Sequence, residues 1–301
     1  MADSGWDIEL PDDISCGNIK DYKQATGLVL AGGGIKGLYL LGTLQYLYEE
    51  KNFDHIESYF GTSVGALISA LLIIGYKPIE ILVFICVHNV QQLISQFQKN
   101  IIENKSLFNP DSFLAILSNL IIKKVGKIPT LAELTERYKK NIHVVTIDRN
   151  HMEEPMYISN HSHPDLSLLH AVHMSMSIPF IFGYAIYDGK KYFDGGVLDN
   201  FPILYASSVE KNVFGIDLIS NDRSSNDFTT DLIAILTLPS GYISKMNKRQ
   251  IPSNSSYINI KAAEGEHAIN FNKSSLVMYD MFVNGYRQCK QLMDLGKIKS
   301  D

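Results

Sequence analysis

The chain has 301 residues, of which 46% are hydrophobic and 20% are charged, and its formal net charge is −5 with an isoelectric point near 6.0. This length suffices for one large α/β domain or two small ones, and the acidic balance argues against electrostatically driven binding of nucleic acid. The acidic N-terminus lacks a signal peptide and the three cysteines are scattered, so we expect a cytoplasmic protein that is not secreted.

The first half of the chain predicts helices that alternate with strands. We expect residues 1–24 to form a polar, loosely held arm. The expected elements that follow are a buried strand at 28–31, a helix over 38–48, a strand at 55–60, a buried helix at 66–74, a helical stretch over about 78–98 and a helix that begins after 109–111. Thr130 and Glu133 are spaced as a capping box for a further helix. Because Gly75 and Pro78 interrupt the apolar stretch 66–87, it predicts two buried helices and no transmembrane segment.

The second half predicts strands at 143–147 and 155–158, a hairpin with strands at 184–186 and 191–193, a central strand at 213–219, a polar loop over 220–231 and a last helix over about 274–293. Asp188-Gly189 is a two-residue hairpin signal, and Gly296 is the expected C-cap of the last helix. Strands that alternate with helices predict one α/β domain with a largely parallel sheet. We expect its core over residues 25–218, with residues 219–301 packed on it as a C-terminal extension.

A nucleophile elbow is predicted at Gly61-Thr62-Ser63-Val64-Gly65, because this Gly-x-Ser-x-Gly sequence lies between a predicted strand and a predicted helix. At so sharp a reversal, a side chain at Gly61 or Gly65 would collide with the adjacent strand or helix. The helix N-terminus beneath Ser63 favours negative charge on its oxygen. An ordinary turn is the alternative interpretation of the pentapeptide.

A second glycine cluster, Gly32-Gly33-Gly34-Ile35-Lys36-Gly37, lies between the first strand and the first helix. Its spacing fits the dinucleotide fingerprint, with Glu49, Glu50 or Asp54 as a ribose-binding acid. These acids lie at a helix end or in the following loop, however, and not clearly at the tip of a second strand. The other use of such a loop is an oxyanion hole, in which exposed backbone N–H groups face a negative oxygen.

A general base is offered by Asp194, which ends a predicted strand and is followed by Gly195 and Gly196. A serine hydroxyl needs a proton acceptor within hydrogen-bond reach to become a nucleophile. The alternative is a second Asp-Gly turn like that at Asp188. Burial beside Ser63 would raise the pKa of a carboxyl group at Asp194 and make it a better base.

These three motifs, in this order, resemble the patatin-like phospholipase family, whose members are lipid acyl hydrolases with a Ser–Asp dyad and no catalytic histidine. The resemblance continues in Ser106-Leu107-Phe108-Asn109-Pro110, in Thr130 through Leu134, in Ser175 through Phe180 and in Asp194 through Pro202. It covers roughly residues 26–218. Lys36 falls where the family often has Arg or Lys, and Gly196 falls where many members have Ala.

The resemblance implies a patatin-like three-layer α/β/α sandwich with a largely parallel central sheet. It implies a phospholipase A-like or lysophospholipase-like activity on fatty-acyl esters, with Ser63 as nucleophile, Asp194 as base and the oxyanion hole in the Gly32–Gly37 loop, with no cofactor and no metal. It also implies an acyl-lipid substrate at a membrane or micelle surface, which fits a cytoplasmic protein that binds membranes peripherally.

Other interpretations stay open from the residues alone. The chain could be a dinucleotide-binding oxidoreductase that uses Gly32, Gly34 and Gly37, or a non-catalytic lipid-binding protein of the same fold. A Ser–Asp–His triad could use Ser63, Asp217 and His267. The closely spaced histidines at 161, 163, 170 and 173 lack the acidic or cysteine ligands of a metal site. Residues 91–125, in which apolar side chains lie among lysines, are the predicted lipid-facing cap.

Overall fold

A computed structural model describes residues 19–87, 110–179, 181–219, 228–263, 266, 268 and 273–298. The helices are α1 Ile19–Gln24, α2 Gly37–Glu50, α3 Val64–Ile73, α4 Pro78–Val87, α5 Pro110–Val125, α6 Leu131–Tyr138, α7 Leu168–Met176, α8 Ile203–Val209, α9 Phe228–Lys248 and α10 Ser275–Ile298. The strands are β1 Gly27–Leu30, β2 Ser58–Thr62, β3 Asn141–Asp148, β4 His151–Ser159, β5 Ala185–Tyr187, β6 Lys190–Asp194, β7 Val213–Ile219 and β8 Ser255–Lys261.

One eight-stranded sheet runs through the molecule in the order β5-β6-β3-β2-β1-β7-β8, with β4 paired to β3. The neighbours among β3, β2, β1, β7 and β8 are parallel, whereas β4 and β6 run antiparallel to β3. In a parallel sheet the carboxyl ends of the strands share one edge, where the loops that lead into the helices also lie. The predicted largely parallel α/β sheet is therefore confirmed.

Helices cover both faces of this sheet. Along β1, Leu28 and Leu30 enter the larger of two apolar clusters, and Val29 and Ala31 enter the smaller one. This alternation follows from the two-residue period of a strand. Helices α2, α3, α7 and α10 contribute to the larger cluster and α8 to the smaller one. Two covered faces make the three-layer sandwich that was predicted.

Local sequence signals are confirmed at several element boundaries. Thr130 accepts a hydrogen bond from the Glu133 amide and the Glu133 carboxylate accepts one from the Thr130 amide, which is the capping box at the start of α6. Asp188 and Gly189 both have positive φ, of 49° and 71°, in the turn between β5 and β6. Such φ values are those of a tight hairpin turn whose twist matches that of the strands.

The C-terminal third departs most from the sequence predictions. The predicted loop over 220–231 is wrong for residues 228–231, because α9 already begins at Phe228. Neither α9 nor β8 was predicted. Gly296 is not a C-cap, since α10 continues through it to Ile298. Strand β8 pairs with β7, so this third of the chain extends the central sheet.

Two further predictions need correction on burial. Within the predicted loose arm, residues 19–24 form α1, whose Tyr22 is completely buried in the core. Helix α4 is not fully buried, because Ile79, Val83 and Val87 are exposed on it. Residues 88–98, the rest of that predicted helical stretch, lie outside the described residues.

None of the described helices is by itself long and apolar enough to cross a membrane. Only the pair α3 and α4 reaches the necessary length and composition, and the two helices are bent by 118° at the break between them.

Candidate active site

Strand pairing brings Ser63 and Asp194 together at the carboxyl edge of the sheet. Thr62, the last residue of β2, pairs with Val145 of β3, and Asp194, the last residue of β6, pairs with the next residue, Thr146. Because β4 occupies the other edge of β3 along this stretch, β2 and β6 share one edge and meet end to end. Ser63 follows directly after β2 and thus faces the end of β6.

Ser63 occupies a strained turn of the elbow type. Its backbone has φ 53° and ψ −122°, a conformation that costs a residue with a side chain free energy. A Cβ atom at Gly61 would lie 2.5 Å from the Ala66 nitrogen, and one at Gly65 would overlap the carbonyl oxygen of Leu30. In the structure there is no room for a side chain at either glycine of this turn. Ser63 also directly precedes the first residue of α3, where the helix dipole stabilises negative charge.

A buried serine from α7 holds this turn in place. The Ser63 amide donates a hydrogen bond to Ser175 Oγ (2.8 Å), and Ser175 Oγ donates to the carbonyl oxygen of Val145 (2.6 Å). Ser175 is completely buried, so water does not compete for these bonds. On the same connection, the carbonyl oxygen of Ser177 accepts from the Asp194 amide (2.9 Å). The last turn of α7 and the residue that follows it therefore position Ser63 and Asp194, respectively.

The Asp194 carboxyl group is buried and incompletely hydrogen-bonded. Its Oδ1 accepts from the Gly196 amide (2.7 Å), while its buried Oδ2 has no hydrogen-bond partner among the described residues. Burial is the largest influence and raises the pKa of Asp194 to about 7, against a smaller lowering by the Ser63 hydroxyl and the Gly196 amide. The hydroxyl thus acts on the carboxyl group without yet forming a well-aligned hydrogen bond, as is common for catalytic groups without substrate.

The Gly32–Gly37 loop lies against the same elbow. A Cβ atom at Gly37 would approach a methyl group of Val64 to 2.5 Å, and one at Gly32 would lie 3.3 Å from the Ser63 Cβ atom. Asn200 holds the loop through two hydrogen bonds. Its side-chain Nδ2 donates to the Gly32 carbonyl oxygen (3.2 Å), and its backbone carbonyl oxygen accepts from the Gly32 amide (3.0 Å). Backbone N–H groups of the loop are therefore held near Ser63.

Only some of these amides are available to a ligand. The Gly32 amide donates to Asn200, the Ile35 amide to the carbonyl oxygen of Ala268 (2.8 Å), the Lys36 amide to Gly33 and the Gly37 amide back to Gly34 and Ile35. Among the hydrogen bonds of the described residues, the amides of Gly33 and Gly34 donate to no group. The predicted six-residue set therefore narrows to two candidate donors.

The residues proposed for a dinucleotide site do not come together. Glu49 accepts a hydrogen bond from Tyr286 and Glu50 pairs with Lys23, and both lie at the end of α2. Because α2 runs back along the sheet from the Gly32–Gly37 loop, its end lies far from that loop. The tip of β2 carries Ser63 where a dinucleotide site would need an acid.

The histidine alternatives also lack geometric support. Asp217 forms a largely buried ion pair with Lys248 (2.5 Å), which occupies the carboxylate that a triad would need, and His267 lies outside the described residues. His173 is half-buried, and desolvation lowers its pKa to about 4. In the part of the chain that the structure describes, no group of three or more His, Cys, Asp or Glu side chains could hold a metal ion.

Two positioning residues were not identified from the sequence. Ser175 and Asn200 lie within segments that carry the family resemblance, but no role was assigned to either. A polar side chain between apolar residues at the end of a helix, as at Ser175, is a signal that a buried backbone group needs a partner. Nothing local indicates that this partner is the Ser63 amide, 112 residues away.

Comparison with known proteins shows the family of the chain. The sequence matches the patatin-like phospholipase family over residues 28–207. It is 32% identical over 191 residues to a probable lipid hydrolase of Invertebrate iridescent virus 6, covering 61% of this chain and 63% of that relative. The matched region thus spans a little under two thirds of the viral protein. An uncharacterized protein, R571, of Acanthamoeba polyphaga mimivirus is 27% identical over 286 residues, which covers 89% of this chain and 93% of that protein.

A solved structure shows the same fold. VipD from Legionella pneumophila superposes with a TM-score of 0.52 and 18% sequence identity, and the match covers 90% of this chain and 67% of VipD. At this identity the likeness concerns the arrangement of the sheet and helices.

Proposed function

Because the chain belongs to the patatin-like phospholipase family, we propose that it hydrolyses fatty-acyl esters of lipids through an acyl-enzyme on Ser63, with Asp194 as general base. The observation that carries this proposal is the end-to-end meeting of β2 and β6. It sets a serine in a strained turn against a buried carboxyl group with a raised pKa. A general base works best when its pKa lies near the operating pH.

In the acylation step, Ser63 Oγ attacks the ester carbonyl carbon while its proton moves to Asp194 Oδ2. The carbonyl oxygen becomes an oxyanion, which the amides of Gly33 and Gly34 are placed to stabilise together with the N-terminus of α3. When the tetrahedral intermediate collapses, the bond to the alcohol oxygen breaks. That oxygen takes the proton from Asp194, and the alcohol leaves.

Deacylation repeats these steps with water. Asp194 Oδ2 accepts a proton from a water molecule as that water attacks the acyl carbonyl carbon. The second tetrahedral intermediate releases the fatty acid, and the proton on Asp194 returns to Ser63 Oγ. Each cycle consumes one water and leaves both side chains in their starting protonation states.

We further propose phospholipids or related acyl lipids at a membrane or micelle surface as the substrate class. The names of the viral relative and the family support it. A cytoplasmic setting is supported by Cys86 and Cys289, which are free thiols, because disulfides are rare in the reducing cytosol.

The decisive experiment is covalent labelling with a fluorophosphonate, combined with measurement of fatty-acid release from mixed phospholipid vesicles. We expect one label on the peptide that carries Ser63, with loss of both labelling and fatty-acid release in Ser63→Ala. Ser69→Ala is the matched control, because Ser69 is a buried serine on α3 whose hydroxyl has no partner among the described residues. It should label and hydrolyse like the wild type.

Labelling of another residue, or unchanged fatty-acid release by Ser63→Ala, would contradict the proposed mechanism. Stable binding of vesicles without any Ser63-dependent release would instead favour a non-catalytic lipid-binding protein.

A further inference from the structure

Helix α9 exposes four large apolar side chains. Ile235, Leu238, Tyr242 and Met246 are 68%, 71%, 68% and 37% exposed. At 3.6 residues per turn, these four positions fall within an arc of about 80° on one side of the helix. They therefore form one continuous apolar surface, which we call the α9 face.

Polar side chains near the C-terminal end of the same helix make its described inward contacts. Ser240 is buried, and Lys248 pairs with Asp217 (2.5 Å) and donates to Asn259 Oδ1 (2.8 Å). The Lys248 ammonium also lies 5.0 Å from the centre of the Tyr257 ring. An ordinary surface helix buries its apolar side and exposes its polar side. These inward contacts hold the C-terminal half of α9 with the α9 face turned away from the sheet, and the described residues leave that face uncovered.

The charge around the α9 face indicates which partner fits. Lys245 and Arg249 are exposed on the same side of the helix, by the rotation of about 100° per residue. The chain carries a net charge of −5, yet residues 232–263 contain no Asp or Glu. An apolar surface edged by basic side chains is the pattern of a helix that lies in the interface of an anionic membrane, and tyrosine prefers that interface.

The position of α9 connects this surface to the site. Helix α9 contacts the turn Gly195–Val197, which directly follows Asp194. The α9 face therefore lies about one helix diameter, roughly 10 Å, from the turn that positions the carboxylate. The predicted cap over 91–125 offers no such surface in its described part, because α5 buries Leu117, Leu120, Ile121 and Val125 and exposes only Ile122 among its large apolar side chains.

We propose that the α9 face binds the surface of an anionic lipid bilayer and thereby brings the site to its substrate. This inference rests on the proposed hydrolysis of membrane lipids. The apolar side chains enter the acyl boundary, and Lys245 and Arg249 contact anionic headgroups. Binding then depends on both the apolar side chains and the negative charge of the bilayer.

Vesicle flotation tests this inference on the full chain, with vesicles of phosphatidylcholine alone or mixed with phosphatidylserine. The wild type should bind the mixed vesicles more tightly, and Leu238→Ser with Tyr242→Ser should weaken that binding by about tenfold or more. Lys245→Glu with Arg249→Glu should weaken binding to the mixed vesicles only. The matched controls are Ile186→Ser, an apolar residue 57% exposed, and Lys190→Glu, an exposed basic residue. Both lie on the β5–β6 hairpin, at the end of the strand order away from β7 and β8, and should bind like the wild type.

A soluble monomeric ester separates this inference from the proposed function. The α9 variants should hydrolyse that ester at the wild-type rate while releasing less fatty acid from vesicles. Equal vesicle binding by the wild type and the Leu238→Ser, Tyr242→Ser variant would overturn the inference. So would dissociation of a wild-type oligomer by that variant, because the α9 face would then join two copies of the chain. Loss of ester hydrolysis in Ser63→Ala with vesicle binding intact supports both proposals, whereas unchanged ester hydrolysis in Ser63→Ala removes only the proposed mechanism.

Discussion

The two glycine-rich turns at the carboxyl edge of the sheet have the same sequence context but differ in how their backbone amides are hydrogen-bonded. Each connects a parallel strand to a helix, β1 to α2 and β2 to α3. In the turn at Gly61–Gly65, backbone atoms fill the space beside the glycines and Ser175 holds the Ser63 amide. In the Gly32–Gly37 loop, the amides of Gly33 and Gly34 donate to no described group.

This difference separates two requirements of acyl transfer. In the proposed mechanism the nucleophile must be held in one orientation, and the hydrogen bond from the Ser63 amide to Ser175 serves this requirement. An oxyanion hole must keep its donors free until negative charge develops on the substrate. Glycine allows close packing in both turns, since a Cβ atom at Gly34 would overlap the Ala268 carbonyl oxygen. In the second turn it also leaves the N–H groups of Gly33 and Gly34 uncovered among the described hydrogen bonds.

The largest expected effect on activity comes from removing the two proposed reacting groups, the Ser63 hydroxyl and the Asp194 carboxylate. Ser63→Ala and Asp194→Asn should each lower turnover by about 10³ or more, and the double variant should be no worse than either single variant, because the two side chains act as one unit. Initial rates on a monomeric ester measure this. Losses that add in the double variant would show that the two residues act separately.

The pH profile tests whether Asp194 is the base. Since the pKa of Asp194 is raised to about 7, the carboxylate needed for acylation is lost as pH falls through that value. The value of kcat/KM should decrease about tenfold per pH unit below it, and hence about 100-fold at pH 5. A flat profile between pH 5 and 8 would exclude Asp194 as the titrating base.

Stability provides an independent check on the same group. A carboxyl group whose folded-state pKa is raised binds its proton more tightly in the folded chain, so its contribution to stability is lost as pH rises from about 4 to about 7. Asparagine does not ionise, so Asp194→Asn should not lose this stability as the pH rises. Its Tm relative to the wild type should therefore be higher at pH 8 than at pH 5.

A smaller effect, on stability, is expected when a methyl group is added in the turn at Gly61–Gly65. In Gly65→Ala the new methyl group overlaps the carbonyl oxygen of Leu30, so backbone must move, at a cost of about 1–3 kcal/mol in the free energy of unfolding. Urea denaturation measures it. Gly241→Ala in α9 is the control, because its Cβ atom meets nothing within 4 Å, and alanine should stabilise that helix by about 0.5–1 kcal/mol.

The smallest effect on activity is expected from a substitution in the Gly32–Gly37 loop. Gly33 has φ 169°, which any residue adopts, and an added Cβ atom meets the end of the flexible Leu218 side chain. Gly33→Ala retains the backbone N–H group, so its loss of activity should stay well below the roughly 10²-fold that follows removal of an oxyanion-hole donor. A loss as large as that in Ser63→Ala would show that this loop is as tightly packed as the other turn.

Local sequence patterns were sufficient for most of the elements. The apolar run of β1, the Thr130 capping box and the Asp188-Gly189 hairpin act over a few residues, so short-range propensity decides them. Helix α9 was not predicted, and Pro239 and Gly241 lie inside it. Both residue types disfavour a helix interior, so local propensity opposes the helix that the fold contains.

The sequence by itself determined that the chain carries three ordered motifs on an α/β sheet, with Ser63 after one strand and Asp194 at the end of another. The tertiary structure decided that β2 and β6 meet end to end along β3, that two of the six loop amides are free among the described hydrogen bonds, and that four large apolar side chains of α9 are exposed. The physical reason is the range of the interactions. Capping and turn formation involve neighbours in the chain, whereas strand register and burial depend on residues far apart in the sequence.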